Sequence, residues 1–141
     1  MLTAASSKKR LLHEIGDLVS GVYGLNTGIV VEALLARENL GPTGVGNGVA
    51  LPHAHIEGLE SVVGAFVLLD RPVDFDSVDR QPVDIAFALF APLNAGVEHL
   101  KALALVSRTL REASIRAKLR SNPDPTTIFA ILSETQNSQA A

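Results

Sequence analysis

The chain has 141 residues, of which 47% are hydrophobic, 19% charged and 4% aromatic, and its formal net charge is -3. This composition is typical of one folded domain with an aliphatic core, and it excludes an intrinsically disordered chain. The lack of cysteine excludes disulfides and thiolate chemistry, and the lack of a basic block gives no electrostatic footprint for nucleic acid. Because the sequence has neither a long apolar run nor a signal-peptide pattern, we expect a cytoplasmic protein that does not insert into a membrane.

Two helices are predicted near the N-terminus. Residues 7–22 place apolar side chains at helical spacing, with Ser6 or Ser7 as the cap. A second helix is predicted from about 26 to 38, and Gly41 lies beyond its end.

The middle of the chain reads as strands and connections. A glycine-rich loop is predicted at 41–48, followed by a short strand at 49–51 that ends at a proline. The segments 61–69 and 83–90 are nearly all apolar without alternation, which is typical of strands buried on both faces. Between them, residues 70–82 form a turn-rich connection.

The C-terminal part is predicted to be helical. Asn94 is the expected cap of a helix over about 95–111, and a short helix follows to about residue 120. Asp124-Pro125 indicates the start of a last helix that runs to 133, and the tail 135–141 is expected to be flexible. Since helices flank the strand region on both sides, we expect one α/β domain with a central sheet covered on both faces.

Among four histidines, His53 stands out because of the loop before it. Four glycines lie within eight residues of that loop, at positions 41, 44, 46 and 48. Glycine at this density lets backbone N–H groups converge on an anion, and the donors expected here are those of Thr43, Gly44, Asn47 and Gly48.

The loop matches neither a P-loop nor a dinucleotide fingerprint. A neutral imidazole is nucleophilic, so His53 is a candidate phosphoryl acceptor. From these residues alone, an ordinary surface loop beside an uninvolved histidine is an equally good interpretation.

A metal pair is a second interpretation of His53 and His55. Strand alternation turns both side chains to the same face, and His99 is a conceivable third ligand. However, no thiolate is available and the nearby carboxylates lack a recognisable spacing. We therefore predict no metal site.

The stretch from Arg37 to His53 resembles the signature of IIA domains of the bacterial phosphoenolpyruvate-dependent phosphotransferase system, of the mannitol/fructose type. Its matching residues are Arg37-Glu38 and Gly41-x-Thr43-Gly44-x-Gly46-x-Gly48-Val49-Ala50-x-Pro52-His53. Three later stretches stand in the order that this family shows: Pro72-Val73-x-Phe75-Asp76, Gln81-Pro82-Val83-Asp84 and Glu98-His99-Leu100-x-x-Leu103. The resemblance spans about residues 7–132 and implies the fold of that family, a single domain with a central mixed sheet and helices on both faces.

The resemblance also implies a site and a donor. The phosphocarrier protein HPr would pass a phosphoryl group to His53, through Nε2, and Arg37 would neutralise the phosphate. His99 corresponds to the family's second histidine. The family needs no cofactor for this step, and we expect no independent turnover.

Within the family, a chain without a fused IIB or IIC segment is most similar to the nitrogen-regulatory members. These act through their phosphorylation state on regulatory targets such as potassium-transport or sensor components. A sugar-specific IIA protein that passes phosphate to a IIB domain is the alternative, and an interaction module in which His53 is never phosphorylated is another.

Two features depart from the family pattern. Relatives usually have residues before the first helix, so a missing N-terminal segment is one interpretation, with residues 1–6 as the remnant of its strand. Relatives often carry lysine or arginine where this chain has His55. A histidine at that position makes the charge of the site depend on pH.

Overall fold

The computed structural model describes residues 2–122 together with 124, 126, 127 and 130, and these contain six strands and four helices. The strands are β1 (Leu2–Thr3), β2 (Gly44–Gly46), β3 (Val49–Ala50), β4 (His53–His55), β5 (Val63–Val73) and β6 (Val83–Ala91). The helices are α1 (Lys8–Tyr23), α2 (Thr27–Leu40), α3 (Val97–Arg111) and α4 (Ala113–Ser121). In this described part of the chain, no helix is both long and apolar enough to cross a membrane. The predicted last helix and tail fall mostly outside it.

The first two helices begin where the sequence places a cap. The Ser7 hydroxyl accepts the backbone N–H of Arg10 at 3.1 Å, and Gly24 ends α1 with a left-handed φ of 71°. The Asn26 side chain accepts the N–H of Ile29 at 3.1 Å at the start of α2. Each cap satisfies a donor that has no partner within its own helix, so both predicted starts are confirmed.

The sheet is mixed, as expected, and β6 lies at its centre. Strand β5 pairs antiparallel with one side of β6, whereas β3 and β4 pair parallel with the other side, one after the other. The outer strands are β1, parallel to β5, and β2, antiparallel to β3.

Strand β5 is longer than predicted. It continues to Val73, although residues 70–73 were expected to belong to the connection. The register with β6 shifts between Leu68 and Val73, and this irregularity lets Pro72 lie in the strand although it donates no hydrogen bond.

The segment predicted as a loop, 41–48, is largely a hairpin. Strands β2 and β3 pair across a turn formed by Asn47 and Gly48, whose φ angles are 59° and 78°. Asn-Gly is the preferred sequence for a two-residue turn with two positive φ angles. This dipeptide was the signal that the sequence offered for a hairpin.

The strand predicted at 49–51 is β3, which ends at Ala50, and Pro52 lies between it and β4. The Pro52 carbonyl accepts the N–H of Leu89, but the residue has no N–H to give to the ladder. As a result, His53 begins a separate strand, β4, which the sequence did not predict.

Two clusters of apolar side chains fill the two faces of the sheet. Helices α1 and α2 cover one face, and the buried strand residues beneath them include Ala54, Val67, Ala86, Ala88 and Phe90. Helices α3 and α4 cover the other face, over Val49, Leu51, Leu68, Ile85 and Leu89. The predicted architecture, a sheet with helices on both faces, is confirmed.

Helix α3 begins later than predicted. Its N-cap is Gly96, and no side chain caps it, so Asn94 does not have the expected role. His99 therefore lies in the first turn of the helix.

Candidate functional site

Strand β4 presents two histidines to α3. Ala54 is buried in the core beneath α1 and α2, and strand alternation turns His53 and His55 to the opposite side. The ring of His99 lies there, with its centroid 5.3 Å from that of His53 and 4.7 Å from that of His55. The structure thus brings together three histidines that are spread over 47 positions of the sequence (from 53 to 99, both included).

The hydrogen bonds of His53 define the state of its ring. Its Nδ1 lies 2.8 Å from the carbonyl oxygen of Leu51. Because a carbonyl oxygen only accepts, Nδ1 carries the proton and donates it. Nε2 then has a free lone pair, which accepts the Nε–H of Arg37 at 3.1 Å. The ring is therefore held as a neutral imidazole with Nε2 as its basic nitrogen.

Arg37 lies in the last turn of α2 and is held in place there. Its Nη1 donates to the carbonyl oxygen of Gly41 at 2.8 Å, while its Nε faces His53. The guanidinium thus bridges the loop after α2 and the reactive face of the imidazole. A planar, permanently charged group in this position suits an anion bound at the same nitrogen.

Burial lowers the pKa of His53 below its ordinary value. The hydrogen bond to Leu51 raises the pKa, and the positive charge of Arg37 lowers it. Since burial is the largest influence, the ring stays neutral at neutral pH. Only the neutral ring has a lone pair for nucleophilic attack.

His99 is buried, with 4% of its surface exposed, and neither ring nitrogen has a hydrogen-bond partner among the described residues. Burial lowers its pKa, and electrostatic interaction with the neighbouring rings of His53 and His55 lowers it further. A buried imidazole without partners is costly for the folded state. Its nitrogens are thus available to a group bound beside His53.

A cavity of about 340 Å³ opens beside His53 and Arg37, with a mainly apolar lining that includes Leu51, Leu103 and Ala104. Leu100 and Ala104 of α3 are both exposed, whereas Val106 and Leu110 further along the helix are buried. The first turns of α3 lie at the site instead of over the centre of the sheet, which explains the difference.

Thr43 is near His53 but its donors are used elsewhere. The residue is buried, and both its N–H, at 3.2 Å, and its hydroxyl donate to the carboxylate of Glu38. The same carboxylate pairs with the ammonium of Lys8 at 2.8 Å. Glu38 therefore anchors the start of the loop, a role that the Arg37-Glu38 motif indicated only by position.

The structure does not bring Asn47 and Gly48 to His53. The carbonyl of Gly48 accepts the N–H of Ile85, whereas the residue before His53 bonds to Leu89, four positions further along β6. At about 3.3 Å per residue this separation is about 13 Å. The expected phosphate contacts of this turn have no support in the geometry, because a hairpin directs its tip away from its base.

The turn is instead held to α4. Arg120 donates to the carboxylate of Asp84 at 2.8 and 2.9 Å and to the Asn47 carbonyl at 3.0 Å. Gly44 also has a packing role, because a Cβ built on it would overlap the side chain of Ser77. These contacts explain Gly44 and Gly48 without a bound ligand.

Within the part of the chain that the structure describes, no group of three or more histidine, cysteine or acidic side chains is arranged to hold a metal ion. The three histidines meet through ring contacts, and His53 directs its two nitrogens to Leu51 and Arg37.

Comparison with known proteins identifies the family to which this chain belongs. The model of the family described as "Phosphoenolpyruvate-dependent sugar phosphotransferase system, EIIA 2" matches residues 1–135. The chain belongs to this family. It is 48% identical, over 90% of its length and 83% of the relative, to a "Nitrogen regulatory protein" of Bradyrhizobium diazoefficiens. A "PTS system fructose-specific EIIA component" of Haloferax volcanii is 34% identical over 74% of the chain and 68% of that relative.

Among solved structures, the chain is similar to the nitrogen regulatory protein IIA-Ntr of Neisseria meningitidis. The TM-score is 0.88 at 39% identity, and the match covers 94% of this chain and 90% of the other. The family and the fold implied by the motifs of the sequence are thus confirmed.

Proposed function

We propose that His53 accepts a phosphoryl group at Nε2 from an HPr-type phosphocarrier. The observation that carries this proposal is the pair of hydrogen bonds on its ring. The Leu51 carbonyl accepts the proton of Nδ1, and the Nε–H of Arg37 donates to Nε2, which therefore carries the lone pair. The proposal also rests on membership of a phosphotransferase-system family.

In the transfer step, the Nε2 lone pair attacks phosphorus and forms a P–N bond. The bond from phosphorus to the donor breaks, and its electron pair leaves with the donor. Nδ1 keeps its proton, and the positive charge that develops on the ring is stabilised by the Leu51 carbonyl. The Arg37 guanidinium gives up Nε2 and pairs with the phosphoryl oxygens, where charge-assisted hydrogen bonds are stronger.

His99 supplies the second contact in this proposal. Its ring lies 5.3 Å from that of His53, and both nitrogens lack partners among the described residues. An N–H of its ring donates to a phosphoryl oxygen, which removes the cost of a buried unsatisfied donor. Together, Arg37 and His99 approach the phosphoryl group from α2 and α3.

We further propose that the phosphorylated and unphosphorylated forms act as a regulatory signal in the cytoplasm. The support is the name of the 48% identical relative, a nitrogen regulatory protein. The targets are proteins that distinguish the two forms, such as potassium-transport or sensor components. The protein itself is a carrier that is phosphorylated and dephosphorylated, without turnover of its own.

The test is phosphorylation with HPr, its upstream kinase and phosphoenolpyruvate, followed by intact-mass measurement. The wild type should gain one acid-labile phosphoryl group. His53→Ala should gain none, and Arg37→Lys should react about 100-fold more slowly, because lysine lacks the planar fork. The exposed His13 on α1 provides the matched control, since His13→Gln should react as the wild type does. An unmodified wild type, or a modified His53→Ala, would overturn the proposal and favour a pure interaction module.

The fructose-specific relative favours a second candidate, transfer from His53 to a sugar-specific IIB domain. Phosphorylated protein mixed with a fructose IIB domain separates the two. Rapid loss of the phosphoryl group to IIB would support the sugar function. Stable phosphoprotein, together with binding to a potassium-transport or sensor protein that changes on phosphorylation, would support the regulatory one.

A further inference from the structure

The three histidines of the site differ in what each can still do. His53 uses both ring nitrogens, and His99 is buried. His55 is exposed, and its ring lies 4.7 Å from that of His99. It is the member of the cluster whose side chain is exposed to solvent.

The charge of His55 acts at the acceptor. Strand alternation puts His55 on the same face as His53, and a positive charge on His55 lowers the pKa of His53, as that of Arg37 does. The electric field of a cation makes a positive charge on the nearby His53 ring less favourable. The same field makes a negatively charged group bound to that ring more favourable. The only acidic group that opposes these charges at His53 is Glu38, among the described residues, and its carboxylate pairs with Lys8.

We propose that His55 is the pH-dependent cation of the phosphorylated site. In its imidazolium form it pairs with the phosphoryl group on His53, and in its neutral form it does not. Phosphorylation therefore takes up a proton, so the phosphorylated form is favoured at acidic pH and becomes less favoured as pH rises past neutrality. This inference rests on the proposed function of His53 and assigns to the same site a dependence on pH.

Apart from His55, the groups whose charges act on His53 and His99, together with those two rings, come from three elements. His53 lies on the same strand, His99 on α3, and Arg37 and Glu38 on α2. All four are present in every variant used below. Their own responses to pH, and that of the phosphocarrier, therefore cancel when variants are compared at one pH.

The experiment equilibrates each variant with a fixed mixture of phosphorylated and unphosphorylated HPr at several values between pH 5.5 and 8.5. The equilibrium constant for transfer is read from the phosphorylated fraction on gels that retain phosphohistidine. His55→Lys keeps a permanent charge, and His55→Gln has none. The exposed His13 again serves as the control, as His13→Gln.

The ratio of the wild-type constant to that of His55→Lys should fall about three- to fivefold from pH 6 to pH 8, the size of an exposed charge pair. Over the same range, the ratio of wild type to His55→Gln should fall towards one, and that of wild type to His13→Gln should stay at one. A merely structural role of His55 would shift the constants by a factor that does not vary with pH.

Constant ratios across the pH range would overturn the role of His55 while leaving His53 as the acceptor. Absence of phosphorylation in the wild type at every pH would overturn both proposals together. The two failures are thus distinguished within one data set.

Discussion

Replacing Glu38 by alanine should be among the most damaging changes near the site, although Glu38 does not touch His53. Its side chain is 5% exposed and accepts the N–H and the hydroxyl of Thr43 and the ammonium of Lys8. Removing it leaves two buried donors of Thr43 without a partner, at about 1–3 kcal/mol each. Breaking the buried ion pair with Lys8 acts in the same direction, so we expect a loss of about 3–5 kcal/mol in the free energy of unfolding.

Urea titration followed by far-UV circular dichroism measures this loss, since the chain has no tryptophan. Glu32→Ala is the matched control, because Glu32 is exposed on the same helix, and it should change stability by at most about 0.5 kcal/mol. The double variant with Thr43→Val should lose about 1 kcal/mol less than the sum of the single variants, since both partners are then gone. A loss below about 1 kcal/mol for Glu38→Ala, or strict additivity with Thr43→Val, would refute the reasoning.

Two further outcomes follow from burial and close packing. Burial lowers the pKa of His99, so the unfolded chain binds more protons than the folded one as pH falls below about 6.5, and the free energy of unfolding should decline there. His99→Leu should flatten this decline in urea titrations at successive pH values, and an unchanged slope would contradict it. Gly44→Ala should cost about 1–3 kcal/mol, because the new Cβ would lie 3.0 Å from the Cα of Ser77. A Cβ on Gly21 would have no atom within 4 Å, so Gly21→Ala should instead stabilise α1 by about 0.5–1 kcal/mol. Thermal melts in which Gly44→Ala proved more stable than Gly21→Ala would contradict this prediction.

The sequence by itself determined the helices α1 to α4, the two long strands, the fold class and the identity of the acceptor candidate. Ser7 and Asn26 cap helices in the structure because a cap depends on side chains within three residues of it. The apolar segments around Val67 and Ile85 form the paired central strands, since short apolar runs without alternation are typical of strands buried on both faces. Motif spacing around His53 pointed to the family that the comparison confirms.

Only the tertiary structure decided how the glycine-rich segment is used. A high density of glycine is equally consistent with an anion-binding loop and with a hairpin, because both need residues with positive φ angles. The pairing of β3 with the start of β6 carries the Asn47–Gly48 turn away from His53, and the partner of that turn, Arg120, lies 73 positions further along the chain. Such distant contacts leave no periodic signal in a sequence.

The same holds for the partners of His53. Residue spacing shows neither the proton on Nδ1 nor the lone pair on Nε2, since both depend on where the Leu51 carbonyl and Arg37 lie in space. The packing of α3 against β4 places His99 between His53 and His55 in contact with both rings. The sequence supplied three histidines, and the fold made them one site, because the charges and hydrogen bonds that give a histidine its function act over a few ångströms of space and are indifferent to separation along the chain.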